Sequence, residues 1–192
     1  MLCSHNSMTF VRAKNPVFNL LLFKRLWKTQ ERGLTWQMKH GVKCFDLHLR
    51  CRPKGTGMFV FCSGLVDLDS YFSVHETVRF IERNNCFFRI MLERGKLCDN
   101  DRETLLNTFT RREACMSITE RRTGKTVYAN PAFAAQSIED LTVRPSFFRS
   151  RKKDARMRNR EWTERDIDNI RTLVVSEFVD LNNGLSHDYK KK

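Results

Sequence analysis

The chain has 192 residues, enough for one domain with a sizeable core, and its 35 Lys and Arg against 22 Asp and Glu give a formal net charge of +13. That excess favours anionic partners, phospholipid headgroups or nucleic acid, without choosing between them. The apolar run Pro16–Phe23 is far short of the ~20 residues a membrane helix needs, and the seven cysteines, an odd number lying mostly inside apolar runs with no CxxC pair of metal-ligand spacing, read as buried thiols.

The first ten residues, MLCSHNSMTF, show no basic start followed by a long apolar stretch, so no secretory signal is expected. The protein is expected in a reducing compartment, cytoplasmic or peripheral to a membrane. Met1 to Cys3 suits a very short first strand, with His5 on the loop just past its end. Thr35 to His40 reads as a helix stopped by Gly41, and Val42 to Arg50 as a strand. Met58 to Ser63 is a second buried strand. A helix follows from the N-cap candidate Ser73, with Val74, Val78 and Ile81 at helical spacing and Asn84 and Asn85 at its end. Cys86 to Glu93 is a third strand, Arg102 to Phe109 a helix, and the region from Cys115 to Val143 supplies one or two further strands. The sequence WTERDIDNIRTL predicts a helix with a capping-box variant at Thr163 and Asp166, and LVVSEFVDL a last strand. Residues 144–160 form a basic segment in which Asp154 is the single acid.

Apolar runs alternating with helical patterns mark βα units and a largely parallel sheet. If the sheet closes as a barrel, functional groups belong at the C-terminal ends of several strands. That rule selects His5, the set Asp46, His48 and Arg50, then Glu93 and Glu177. Asp46, His48 and Arg50 stand at i, i+2 and i+4 of one strand and therefore share a face, while Phe45, Leu47 and Leu49 share the other. The same alternation also suits a half-exposed strand whose polar face meets water. A histidine among the small polar residues of CSHNSMTF suits a tight loop exposing an imidazole, the side chain best poised for proton transfer near neutrality.

SHNSMTF resembles the S-H-N/D-S/T opening of the phosphatidylinositol-specific phospholipase C catalytic domain, and TQERGLTWQMKHGVKCFDLHLR resembles its T-Q…Q-L-x-x-G-V-R-x-F-D-L-R-V block. RIMLE resembles the family strand that ends in a metal-binding Glu, and VVSEFVDL the closing strand with an acidic partner for the first histidine. The likeness is strongest over residues 1–95; no match is seen over 96–160. It implies a single α/β domain over 1–192, a distorted or reduced TIM-barrel-like β/α barrel. It also implies a phosphodiesterase acting on a phospholipid or inositol-phosphate-like substrate, with an anionic membrane surface as partner.

In the family one histidine deprotonates the inositol 2-hydroxyl and a second protonates the departing diacylglycerol oxygen. The resemblance makes His5 the base, with Glu177 holding its ring and with Asp46 and His48 beside it. Arg50 is expected at the substrate, and Asn6, Asp46 and Glu93 as an oxygen-rich site for calcium or magnesium, if a cation is used at all. Three departures stand out. Cys62, Ser63 and Gly64 occupy the place of the second histidine, and His75 on the next helix is expected at the surface. His48 stands where the family has Arg or an acidic ligand, and an imidazole is a poor calcium ligand. The chain is also shorter than full-barrel members.

Other readings remain. Glycerophosphodiesterase or sphingomyelinase-D-type barrels prefer E-x-D where this chain has Asp46-Leu47-His48. A phosphoanion- or lipid-binding barrel without turnover agrees with the missing second histidine. Nucleic-acid binding through 144–160, with Phe147, Phe148 and Trp162 for stacking, ranks below a solvated basic loop.

Overall fold

In the computed structural model, residues 1–52, 56–70, 73–93, 97–109, 111–140, 142, 152, 154–155 and 172–177 are described. The elements in chain order are β1 (Leu2–Ser4), α1 (Leu21–Trp27), α2 (Leu34–Lys39), β2 (Cys44–Cys51), β3 (Phe59–Ser63), β4 (Val66–Asp67) and α3 (Val74–Arg83). They continue as β5 (Phe87–Leu92), α4 (Asp99–Asn107), β6 (Cys115–Glu120), β7 (Thr126–Ala129), β8 (Ser137–Asp140) and β9 (Thr172–Ser176).

The strands form one mixed sheet of order β7-β6-β5-β2-β1-β9-β8. Its centre is parallel, β6 to β5 to β2 to β1 to β9 to β8. The β3 strand departs from the expected parallel pattern: it folds back antiparallel on the far end of β2, Leu49 opposite Phe61, and carries β4 with it. The stretch from Arg52 to Met58 is too short for a helical crossover, so a hairpin is the available connection. Three strands lie between Cys115 and Asp140 where one or two are expected.

Local chemistry sets the helix ends. The Ser73 hydroxyl accepts from the Glu76 amide at 3.1 Å, and the Glu76 carboxylate accepts from the Ser73 amide at 2.8 Å, closing a full capping box on α3. Gly41, at φ 88°, ends the α2 segment in a conformation that few residues other than glycine adopt. The predicted helix over 162–173 and the capping pair Thr163 and Asp166 lie outside the described residues, except that Thr172 and Leu173 are already strand. The basic segment is outside too, apart from Lys152, Asp154 and Ala155; Lys152 pairs with Glu31 at 2.9 Å between two exposed side chains.

Alternation divides the sheet into two unlike faces. Leu2, Phe45, Leu47, Leu49, Phe88, Ile90, Leu92 and Ile118 point outward into the main core with Val78 and Ile81 of α3. On the concave face a smaller apolar cluster of Cys3, Cys44, Met116, Leu173 and Val175 makes a floor. One pleat further along the strands, toward their C-terminal ends, that same face turns polar.

Candidate active site

His5 follows β1 directly. Its amide donates to the Ser176 carbonyl at 2.8 Å, which extends the β1–β9 ladder by one residue. Asn6 then takes a left-handed conformation, φ 43° and ψ 60°, which Asn tolerates better than most residues, and the chain turns away. Two neighbours fix this turn from outside: Thr29 Oγ1 donates to the His5 carbonyl at 2.9 Å, and Gln30 Nε2 bridges the carbonyls of His5 at 3.1 Å and Ser176 at 3.2 Å. The Thr-Gln pair of the sequence block therefore ties β1 to β9 beneath the imidazole.

The side chains chosen from sequence converge. His5 Nδ1 lies 2.9 Å from Asp46 Oδ2, and His48 Nε2 lies 3.0 Å from the same oxygen. His48 Nδ1 is 2.7 Å from Glu93 Oε1, and the two imidazoles meet edge to face with centroids 4.9 Å apart. Burial separates the histidines: the His5 side chain keeps 13% of its surface, His48 only 1%. His5 is the one placed to meet a ligand.

Arg89 joins them. It stands opposite Asp46 in the β2–β5 register, with Nε 3.0 Å from Oδ1 and Nη2 3.3 Å from Oδ2. Arg121, just past β6, contacts Glu93. The sequence reading passed over both. Arg89 was findable, because Arg89 and Glu93 are four apart on one strand and so share a face; Arg121 sits in a turn where a basic residue signals nothing.

These neighbours set the protonation states. Burial pushes the His5 pKa down, and the Asp46 carboxylate only partly offsets it, which favours the neutral ring. Burial acts on His48 in the same direction but is outweighed by the charges and hydrogen bonds of Asp46 and Glu93, which raise its pKa. For Asp46, burial raises the pKa, yet the positive charges of Arg89 and His48 hold it well below the usual carboxylate range. Burial likewise opposes ionisation of Glu93, but hydrogen bonds and charge from His48 and Arg121 bring it to about 2. The surroundings thus favour the neutral form of His5 and the protonated form of His48, whose ring lies between two carboxylates.

Three expected roles meet a more particular geometry. Nδ1 of His5 faces Asp46 Oδ2, and Glu177, fully buried, also favours the protonated ring. Arg50, expected at the substrate, pairs with Asp67 at 2.9 Å and donates to the Gly64 carbonyl, so it braces the β3–β4 turn. The oxygen set Asn6, Asp46 and Glu93 does not close on one ion, because the His48 ring bonds to both carboxylates and fills the space between them. Calcium and magnesium want oxygen-rich shells, and Asp46 and Glu93 already face nitrogen donors. Where the second histidine was missed, Cys62 is buried with its thiol pushed up to about 12, and the Ser63 hydroxyl donates to the Trp27 carbonyl at 2.7 Å. His75 is exposed on the first turn of α3.

No family profile matches the sequence, and no curated protein matches it in sequence either. Solved structures do match in shape. The phosphatidylinositol-specific phospholipase C from Listeria monocytogenes superposes with a TM-score of 0.63 at 11% identity, covering 96% of this chain and 90% of that one. The F249X mutant of phosphatidylinositol-specific phospholipase C from Staphylococcus aureus gives a TM-score of 0.51 at 13% identity, covering 91% and 70%. The chain thus has the fold of the phosphatidylinositol-specific phospholipases C, a reduced, TIM-like β/α barrel in a single domain.

Proposed function

We propose that this is a phosphodiesterase of the phospholipase C type, with His5 as general base on a phospholipid or inositol-phosphate-like substrate. The observation that carries the reading is the state of His5: a neutral, partly exposed imidazole whose Nδ1–H is held by a buried anionic Asp46. That bond fixes the tautomer with its lone pair on Nε2, and among the described residues Nε2 has no hydrogen-bond partner. A substrate hydroxyl gives its proton to Nε2 as its oxygen bonds to phosphorus, and the phosphorus–oxygen bond to the leaving alcohol breaks. The His48 imidazolium supplies fixed positive charge beside the phosphorus. It is not a proton donor to the substrate, because both its ring nitrogens are committed to carboxylates. No cation enters the scheme.

A leaving alkoxide then has no protein acid at Cys62 or Ser63 and takes its proton from water. Loss of a general acid costs about 10²–10⁴-fold in rate, and the penalty shrinks when the leaving group is a stable anion. A nitrophenyl phosphodiester is therefore the substrate on which activity survives, and phosphatidylinositol is cleaved slowly. His5→Ala abolishes that hydrolysis. Equal activity in the parent and in His5→Ala sinks the mechanism.

The same missing acid supports a second reading, a barrel that binds a phosphoanion or lipid surface without turnover. Retention on anionic vesicles with no hydrolysis of the activated ester selects it. Stronger retention on single-stranded DNA than on vesicles selects the nucleic-acid alternative.

A further inference from the structure

His5, Asp46 and His48 carry a donor set of a different kind from the oxygen-rich one weighed above: two imidazole nitrogens and one carboxylate oxygen, mutually within 4.8 Å. We propose that these three residues form a binding site for a divalent transition metal of the Zn²⁺ class, and that occupancy shuts off His5 as a base. The metal site stands on geometry alone; its inhibitory effect rests on the phosphodiesterase reading.

Four features support the site. Ligand atoms on a tetrahedral zinc ion with ~2.0–2.1 Å bonds lie ~3.3 Å apart. Asp46 Oδ2 is already 2.9 Å from His5 Nδ1 and 3.0 Å from His48 Nε2, so small outward shifts of the nitrogens admit an ion. Behind His48, Glu93 accepts from Nδ1 at 2.7 Å, the carboxylate–histidine arrangement that fixes Nε2 as the ligand atom and raises its basicity. Arg89 Nε lies 3.0 Å from the other Asp46 oxygen and can hold the carboxylate while Oδ2 turns to the metal. Finally, Asn6, whose amide lies 3.4 Å from Asp46 Oδ2, is 2% exposed and has a buried side-chain oxygen with no hydrogen-bond partner among the described residues. Water or that oxygen completes the shell.

The charges agree with this assignment. With both rings neutral, the carboxylates of Asp46, Glu93 and Glu177 outnumber the guanidiniums of Arg89 and Arg121 around the site. Binding releases the proton between His48 and Asp46, while the neutral His5 ring moves its single proton from Nδ1 to Nε2. Bound through Nδ1, His5 then carries that proton where the lone pair of the base would otherwise be.

The test titrates the full chain, stripped with chelator, with Co²⁺ and then displaces the cobalt with Zn²⁺. One equivalent of Co²⁺ should give visible d–d bands of a nitrogen–oxygen site, without the near-ultraviolet band of a cobalt thiolate. Folded His48→Gln should lose the bands. Glu93→Gln, which keeps every ligand, should weaken binding about 10–100-fold, and this keeps the test usable if His48→Gln does not fold. Absent bands, a thiolate band pointing to the buried pair Cys3 and Cys44, or unchanged binding in both variants overturns the proposal. Zn²⁺ should also abolish hydrolysis of the nitrophenyl ester. Full hydrolysis with zinc bound overturns the inhibitory half. Zinc binding by a chain inactive in every form instead overturns the phosphodiesterase reading and leaves the metal site standing.

Discussion

The two faces of β2 are made by alternate residues of one strand and obey opposite rules. Outward, Phe45, Leu47 and Leu49 are fully buried among apolar neighbours, and packing alone explains them. Inward, Asp46 and His48 are as deeply buried, yet their surroundings favour the charged form of each and partners from β5 and the residue just past it hold them. Desolvating charges in this way costs several kcal/mol per ion and seldom repays itself in stability. A concave face that keeps such a network at that cost is the physical support for the phosphodiesterase reading proposed above.

Single substitutions on the two sides of this strand should break the comparison most sharply. Phe45→Ala removes a large outward side chain and should cost about 3–5 kcal/mol. Arg89→Met strips Asp46 of its guanidinium partner and should cost about 3–5 kcal/mol as well, because a buried charge is left short of compensation. Chemical denaturation at several pH values separates the two mechanisms. The Arg89→Met deficit should shrink as pH falls and Asp46 takes up a proton, whereas the Phe45→Ala deficit should persist. A pH-independent loss in Arg89→Met would mean that the network is only packing.

The same contrast explains what was legible in the sequence. Strand periodicity marked β2 and β5, the flanking Gly41 and Ser73 marked helix ends, and alternation put Asp46 and His48 on one face, because each of these is a local property. Which residue closes on which depends on register between distant strands. Pairing of Asp46 with Arg89 follows from β2 lying beside β5, and nothing local to either segment states it. For the same reason Asp46 meets the His5 ring, and Arg50 turns to Asp67, a residue that reaches it only through the β3–β4 hairpin.

A smaller effect tests whether α3 belongs to the outward, packing side alone. Ser73→Ala removes one half of the capping box and should cost about 1 kcal/mol, read as a lower denaturation midpoint. It should leave hydrolysis of the activated ester unchanged, since α3 presents Val78 and Ile81 to the outer core. A loss of rate in folded Ser73→Ala would show that the helix and the concave face are coupled.

The smallest stability effect comes from pH on either side of the ordinary histidine value of about 6.5, and its shape comes from the inward face. His48 has a raised pKa in the folded chain, so its stabilisation is complete below the ordinary histidine value of about 6.5 and fades as pH rises through the folded value. His5 has a lowered pKa, so the unfolded chain binds the proton more readily, and stability is lost as pH falls from about 6.5 through the folded value. Together they place a shallow maximum near pH 6.5. Glu93 adds a further loss only in acid, between its ordinary value and about 2. On the proposed mechanism the two histidines act differently in rate: His5 as base stays deprotonated below the ordinary histidine value, and His48 as fixed cation persists above it. The pH–rate profile should therefore be a broad plateau with its acid limb below about 6.5 and its alkaline limb above. His48→Gln should flatten the alkaline side of the stability curve and move the acid limb of any residual rate to higher pH, because the neighbouring His48 charge helps to lower the His5 pKa. An acid limb that disappears in His48→Gln would assign the base to the wrong imidazole.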